Sequence, residues 1–286
     1  MKNMKIFPKE IEAGLSDKIT TSSKASANYD VITTESEAEK AVANIIPGAA
    51  LTRDLMLVHG ILVTTNWNKN DDVFSPEEVL AAKDTPVFKP TNINHRGEEG
   101  DNQNIGVICS AILVDDAYNK IDIAVGQDSI PSKFHIMCGM YLWEKYFPMA
   151  VNEIKESIDR NQMYISMECL FDDFGYALKG LDDDDITLVA RNEQTCVLSS
   201  HLRIYGGTGQ VDVKGKKFKI GRWLRKITFS GVGFVKKPAN PESVVFDNYV
   251  SFAKASWEEI EKFDISEDDG VLTINKGLIN LWPKSN

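Results

Sequence analysis

A histidine and a serine, His95 and Ser166, are the two side chains of this 286-residue chain whose types and settings could support covalent chemistry. A serine hydroxyl becomes a nucleophile when a nearby histidine removes its proton, and it can then attack a carbonyl carbon. His95 follows a stretch that contains Pro86 and Pro90, and proline favours extended backbone before it. Ser166 lies in a strand-like run, residues 164–169. The two residues therefore predict acyl transfer if the fold brings them together.

Side-chain alternation along the Ser166 strand predicts a cleft on one of its faces. Successive side chains of a strand point to opposite faces. One face is wholly apolar and consists of Met163, Ile165, Met167, Cys169 and Phe171. The other face carries Tyr164, Ser166 and Glu168, so we expect it to lie outside the main core and to line a cleft. The alternative is a solvated strand face without a catalytic role.

His95 is the candidate general base among the four histidines of the chain. His59 and His135 lie within apolar runs and are predicted to be packing residues. His201 stands beside Arg203, and its setting favours neither role. His95 ends a rigid extended stretch, and catalytic groups are commonly presented by loops and strand ends of this kind.

Composition and charge exclude several other classes of protein. The net charge is −10 and the lysines and arginines form no block, so sequence-independent binding to nucleic acid is not expected. The four cysteines are widely spaced, which disfavours a zinc site or cysteine catalysis and suits a reducing cytoplasm. No apolar run approaches the ~20 residues that cross a membrane. The aspartate run 182–185 is typical of a solvated loop, and we expect neither a metal nor a cofactor.

The order of the predicted elements indicates an α+β fold that is mostly β. One helix is predicted from Pro76 to about residue 83, with a capping box of Ser75 and Glu78, and another is predicted from Pro148. Predicted strands cover residues 55–63, 105–114, 120–125, 164–169, 197–205, 211–220 and 226–235. Many short strands with few helices favour an antiparallel β-barrel with peripheral helices.

Three segments are predicted along the chain. Residues 1–50 are poor in aromatic residues and rich in Ser, Thr, Ala, Lys and Glu, which predicts a flexible N-terminal segment and a candidate propeptide. Residues 51–250 are expected to form the β-barrel domain. A second capping box at Ser256 predicts that residues 251–286 are a helical C-terminal extension.

Several motifs resemble those of the prohead (capsid maturation) serine proteases of tailed bacteriophages, which are similar in fold to the herpesvirus assemblin proteases. Residues 89–95, Lys-Pro-Thr-Asn-Ile-Asn-His, are followed by a strand-like run from Ile105. Residues 165–168, Ile-Ser-Met-Glu, come next, and a glycine-containing run then leads into Pro-Ala-Asn-Pro at 238–241. The order and spacing of these motifs carry the resemblance, which covers residues 54–246.

The resemblance implies a serine endopeptidase with an assemblin-like β-barrel, in which Ser166 is the nucleophile and His95 the general base. It implies that phage scaffold and major capsid proteins, and the protease itself, are cleaved inside the immature capsid in the host bacterial cytoplasm. A homo-oligomer is also expected, without nucleic acid, membrane or cofactor. An arginine, Arg191, Arg203 or Arg222, is a candidate to support the oxyanion through water. A catalytically inactive homologue that serves as a structural or scaffold-associated virion protein is the alternative.

The third catalytic residue is open. By the resemblance, a carboxylate or a histidine is expected on the strand before the Pro-Ala-Asn turn, where this chain has Gly231. Glu168 shares the strand face of the nucleophile and is the first candidate to orient His95. Glu193 and Asp172 are further candidates, and a Ser-His dyad without a third member is the alternative.

Overall fold

The computed structural model describes residues 4–19, 22–24, 54–93, 104–123, 130–160, 162–181, 185–236, 245–247, 265–268 and 271–274. The helices in these segments are α1 (Pro8–Glu12), α2 (Pro76–Ala82) and α3 (Pro148–Asp159), with 3₁₀ turns at Cys196–His201 and Arg203–Tyr205. The strands are β1 (Ser22–Lys24), β2 (Met56–Thr64), β3 (Asn66–Trp67), β4 (Asp72–Phe74), β5 (Pro90–Ile93), β6 (Asn104–Val114), β7 (His135–Leu142), β8 (Tyr164–Gly180), β9 (Ile186–Val189), β10 (Gln210–Val213), β11 (Lys216–Val235), β12 (Val245–Asp247), β13 (Ile265–Asp268) and β14 (Val271–Ile274). The fold is mostly β, as predicted.

Twelve of the described strands form one sheet that curls into a half-barrel. The strand order is β1-β8-β11-β5-β6-β7-β2-β12. Of the four short strands, β9 pairs with β8, β4 and β10 pair with β11, and β3 pairs with β4. Most neighbours are antiparallel, but β11 runs parallel to β4 and to β5. The predicted antiparallel arrangement therefore fails at β11. Parallel neighbours are possible there because long connections, and not tight turns, separate β4 and β5 from β11 in the sequence.

The long antiparallel ribbon of β8 and β11 sets which side chains face the core near the predicted nucleophile. Ile165 pairs with Phe234, and Met167 pairs with Val232. All four side chains are buried, which confirms the predicted apolar face. The register shifts just before Gly231, and such a bulge bends the strand locally.

Both helices predicted for the central segment are present. The side chain of Ser75 makes no capping hydrogen bond at the start of α2. Glu78 instead accepts a hydrogen bond of 2.6 Å from the backbone N–H of Lys226, so this carboxylate ties α2 to β11 and does not complete a capping box. α3 buries Val151 and Ile154, which lie three positions apart on one side of the helix, in the core.

Two predicted strands are wrong, and a third, 211–220, is divided by a turn at residues 214–215 into β10 and the start of β11. Residues 197–205 lie in the 3₁₀ turns. Their buried side chains recur at every third position, at Cys196, Ser199, Leu202 and Tyr205. This spacing fits the three residues per turn of a 3₁₀-helix, whereas a half-buried strand alternates every two residues. In the predicted strand 120–125, the described residues 120–123 make only an isolated bridge, from Lys120 to Val114.

In the N-terminal segment, residues 4–19 and 22–24 pack against the rest of the fold, so the flexibility predicted for residues 1–50 does not extend to them. Phe7 and Leu15 are buried, and β1 pairs with β8. Glu10 is buried as well, and it forms an ion pair with Arg191. The sequence did not indicate this because a few apolar residues in a polar stretch make the contact. The rest of this segment lies outside the described residues.

The predicted C-terminal helical extension differs from the part of it that the structure describes. β13 and β14 pair there as a two-stranded antiparallel sheet, so residues 265–268 and 271–274 are not helical. The helix predicted from Ser256 lies outside the described residues. Across the described segments, no helix is both long enough and apolar enough to cross a membrane.

Candidate active site

Three neighbouring strands bring Ser166 close to the segment that leads to His95. Ser166 on β8 pairs with Gly233 on β11, and Gly233 pairs in turn with Asn92 on β5. Paired residues of adjacent strands share a face of the sheet, so these three positions form one row. β5 ends at Ile93, two residues before His95. His95 itself lies outside the described residues, and so does the Pro-Ala-Asn-Pro motif at 238–241.

The face that carries Ser166 is mostly buried, which disagrees with the alternative of a solvated strand face. Ser166 is 1% exposed and Tyr164 is 5% exposed, while Glu168 is half-buried. Alternation correctly separated the polar face from the apolar face. It could not show that polar groups from neighbouring strands would satisfy one another and allow the polar face to be buried.

Glu168 is held by a hydrogen bond that crosses β11. Nδ2 of Asn92 donates to Oε1 of Glu168 at 3.0 Å, although the two residues are 76 positions apart in the sequence. Gly231 is the cross-strand partner of Glu168. A Cβ atom at position 231 would lie 3.1 Å from Oε2 of Glu168 and 3.2 Å from the carbonyl oxygen of Pro90. The carboxylate therefore fills the space that a side chain at 231 would need.

Asn92 is a candidate site residue that the sequence did not indicate. Its side chain is 1% exposed, and its Oδ1 has no hydrogen-bond partner among the described residues. The available signal was a polar amide on a short strand directly before the candidate base. That signal is weak, because asparagine is also common at strand ends and in turns.

The other acidic candidates lie elsewhere. Asp172 is exposed on β8, and Glu193 is exposed and 3.8 Å from Lys5 in a surface ion pair. Of the three carboxylates considered, the structure brings Glu168 to the row that contains Ser166.

Each of the three candidate arginines forms an ion pair with a carboxylate. Arg191 pairs with Glu10, Arg203 with Asp71, and Arg222 with Asp72. Arg222 lies opposite Tyr176, ten positions along β8 from Ser166, which is up to about 33 Å of strand. Burial alone would lower the pKa of Arg222, but the adjacent Asp72 carboxylate outweighs burial and raises the pKa. Within the described residues, these arginines support the fold and not the row at Ser166.

The described histidines have structural settings. His59 is buried in β2, and burial lowers its pKa to about 3. His135 is buried, with Nδ1 2.8 Å from Oγ1 of Thr64 and Nε2 3.0 Å from Oδ1 of Asp116. His201 is half-buried at the end of a 3₁₀ turn. The burial of His59 and His135 agrees with their predicted packing role.

Comparisons of this chain with models of protein families, with curated proteins and with solved structures found no match. The described segments hold no group of three or more His, Cys, Asp or Glu side chains that could bind a metal ion.

Proposed function

We propose that this chain is a serine endopeptidase of the tailed-phage prohead type, with an assemblin-like arrangement of its curled sheet. It would cleave phage scaffold and major capsid proteins, and itself, inside the immature capsid in the host cytoplasm, as a homo-oligomer without a cofactor. The observation that carries the proposal is the three-strand row. Ser166, a carboxylate and the end of β5 come together from segments that are far apart in the sequence.

The proposed reaction is a two-step acyl transfer. Oγ of Ser166 attacks the peptide carbonyl carbon while its proton passes to His95. The tetrahedral intermediate then collapses, and the amine leaves with that proton. Water attacks the acyl-enzyme by the same route in reverse, which releases the acid and restores the Ser166 hydroxyl. Backbone N–H groups are the proposed donors to the oxyanion, because the three candidate arginines form ion pairs with other carboxylates.

One observation favours a second candidate function. Ser166 is only 1% exposed, whereas a nucleophile must be reached by its substrate. An inactive homologue with a structural or scaffold-associated role in the virion would tolerate a buried serine at this position. Access of a small reagent to Ser166 therefore separates the two functions.

The test is covalent labelling of the purified chain with a fluorophosphonate, followed by mass spectrometry of its peptides. We expect one adduct on Ser166 and none in Ser166→Ala or His95→Ala, because the neutral hydroxyl is a poor nucleophile without its base. Ser110→Ala, which changes a half-buried serine on β6, is the matched control and should label normally. Co-expression with the cognate scaffold and capsid proteins should show cleavage that Ser166→Ala abolishes. An unlabelled wild-type chain that also leaves these proteins intact would support the inactive homologue.

A further inference from the structure

Arg191 holds a carboxylate from the N-terminal part of the chain in a buried contact. Its Nε donates to Oε1 of Glu10 at 2.8 Å, and its Nη2 donates to Oε2 at 2.5 Å. Both side chains are almost fully buried. The guanidinium also lies over the rings of Phe7 and Phe174, 4.9 and 4.5 Å from their centroids. A two-point contact of this kind adds geometric specificity to charge attraction, so the carboxylate is recognised by both shape and charge.

Polar groups of β8 and of the first 3₁₀ turn complete the binding site. Oγ of Ser199 donates to Oε1 of Glu10 at 2.7 Å, and the hydroxyl of Tyr176 is 2.9 Å from that Oγ. Oδ1 of Asp173 is 3.7 Å from Nη1 of Arg191, so the arginine keeps a carboxylate beside it even if Glu10 leaves. We call this site the Arg191 pocket, and it is formed by Arg191, Ser199, Phe174 and Tyr176.

The N-terminal segment, residues 4–19 and 22–24, contacts this site and the sheet in the way that a bound peptide does. α1 has five residues, which is too short for a helix to be stable alone. The buried anchors of the segment are Phe7, Glu10, Leu15 and Ile19. β1 then pairs with β8, as extended peptides do when they add to the edge of a sheet. The segment is therefore bound to the fold as a ligand that is also covalently attached to it.

The connection after the segment is long enough to reach another copy of the chain. β1 is the first strand of the sheet order and β2 is the seventh, so they lie up to about 29 Å apart along the sheet. Residues 25–53 join β1 to the segment before β2 and can span about 95 Å when extended. Their length therefore does not restrict the segment to its own chain. Exchange of an identical element between copies is a low-cost route to a dimer.

We infer that the Arg191 pocket is a peptide-binding site for segments of the form Phe-x-x-Glu, and that in the homo-oligomer it takes the N-terminal segment of a second copy of this chain. Two copies exchange segments, so that each pocket is filled and each Glu10 is paired. The inference rests on the homo-oligomer of the proposed function and not on its chemistry, because Phe174 and Tyr176 are eight and ten positions along β8 from Ser166.

The test links the segment to the chain on which it packs. Lys5→Cys and Glu193→Cys are placed on separate full-length chains, which are co-expressed and then treated with a short bismaleimide. Lys5 and Glu193 are exposed, and their Nζ and Oε1 atoms are 3.8 Å apart, so the two cysteines lie near each other wherever the segment is bound. The main chain of Lys5, whose carbonyl accepts from Arg191, is unchanged by the substitution.

The native cysteines should not take part in this reaction. Cys138, Cys169 and Cys196 are buried, and burial raises the pKa of the half-buried Cys109 thiol to about 11. A thiol reacts as its thiolate, so the wild-type chain treated with the same reagent should give no link.

We expect a covalent dimer from the co-expressed pair on a denaturing gel. Glu10→Gln in the Lys5→Cys chain should lower the yield of this dimer at least about tenfold, because the buried guanidinium loses its partner charge. Lys9→Gln is the matched control, because Lys9 is exposed on the same helix, and it should keep the yield. Lys236→Cys in place of Glu193→Cys tests random collision. Lys236 follows Val235, which pairs with Tyr164, far from Arg191, so no dimer should form.

A chain that carries both Lys5→Cys and Glu193→Cys shows whether the reagent joins the two positions, and light scattering gives the oligomeric state. If this double variant links within a single chain, and the co-expressed pair gives no dimer although the protein is an oligomer, the exchange is wrong. No link at all in the double variant would mean that the segment is not bound at Arg191. The co-expressed pair decides the exchange even if Glu10→Gln folds poorly, because the pair keeps the pocket intact.

Two further outcomes would overturn the inference. An undiminished dimer with Glu10→Gln, in a variant that keeps its thermal transition, would show that the Arg191 pocket is not the anchor. A monomeric wild-type chain would refute the proposed homo-oligomer first and the segment exchange with it. Labelling of Ser166 would still test the proposed chemistry separately in that case.

Discussion

Asp72 and Arg222 form a buried ion pair toward the end of the β8–β11 ribbon that lies away from Ser166. Oδ1 of Asp72 is 2.7 Å from Nε of Arg222, and both side chains are almost fully buried. The Arg222 guanidinium also lies over the rings of Phe171 and Tyr205. Removal of one member would leave the other charge buried without its partner, which costs more free energy than the intact pair contributes. The arginines that resembled oxyanion donors in the sequence are therefore parts of the folded framework.

Loss of the Asp72 carboxylate should be costly. We expect Asp72→Ala to lower the free energy of unfolding by about 3–5 kcal/mol, because Arg222 is left buried and unpaired. Urea unfolding followed by fluorescence measures this change. Glu153→Ala breaks the exposed pair with Lys236 and is the control, with an expected cost below about 1 kcal/mol. If the two variants lost similar free energies of unfolding, the Asp72–Arg222 pair would not be buried as the structure shows.

At the scale of elements, the sequence indicated those whose signals are local. α2, α3, β2 and β6 followed from proline positions, apolar stripes and β-rich runs. The 3₁₀ turns at residues 196–205 were mistaken for a strand, because an apolar run of that length fits either period. The site depends on pairing between β5, β8 and β11, and pairing between distant segments leaves no local pattern. Ser166 and Glu168 could therefore be proposed from alternation, whereas the contact between Asn92 and Glu168 could not be seen without the strand register.

The segment that contains α1 can be deleted to test how much it stabilises the fold. Deletion of residues 1–19 would expose the apolar surface that Phe7 and Leu15 cover and would leave Arg191, whose side chain is 2% exposed, without Glu10. Burial of a large apolar side chain contributes about 1.5–3 kcal/mol, so we expect a loss of at least about 3 kcal/mol. Differential scanning calorimetry measures it, with deletion of residues 1–3 as the control. An unchanged transition would mean that this segment is dispensable, as a removable propeptide requires.

Across the whole molecule, several buried groups bind fewer protons in the folded chain than in the unfolded chain. Burial alone would raise the pKa of Glu10, but its hydrogen bonds from Arg191, Phe7 and Ser199 outweigh burial and lower it. The pKa of Asp71 is lowered in the same way, against burial, by Arg203, Lys219 and Trp67. For such carboxylates the stabilisation is present above the unfolded-state pKa and is lost as the pH falls through the folded-state pKa. Acid therefore weakens the fold at Glu10, which pairs with Arg191, and at Asp71, which pairs with Arg203 and Lys219.

His59 should dominate one part of this pH dependence. Burial lowers its pKa from 6.5 to about 3, so the folded chain keeps it neutral while the unfolded chain takes up a proton below pH 6.5. The unfolded state then binds more protons, and stability must fall as the pH is lowered. Between pH 7 and pH 5 this single group removes about 2 kcal/mol, at a slope that approaches 1.36 kcal/mol per pH unit.

The measurement is the free energy of unfolding in urea at pH 7, 6 and 5 for the wild type, His59→Gln and His201→Gln. Glutamine cannot take up the proton, so His59→Gln should lose about 2 kcal/mol less than the wild type between pH 7 and pH 5, whatever its stability at pH 7. His201 is half-buried, and His201→Gln should keep the steep wild-type dependence. Because the comparison uses the slope and not the absolute stability, a packing defect caused by glutamine does not affect it. Parallel pH dependences for the wild type and His59→Gln would mean that the folded chain protonates His59 as readily as the unfolded chain does, which is incompatible with an imidazole buried in β2.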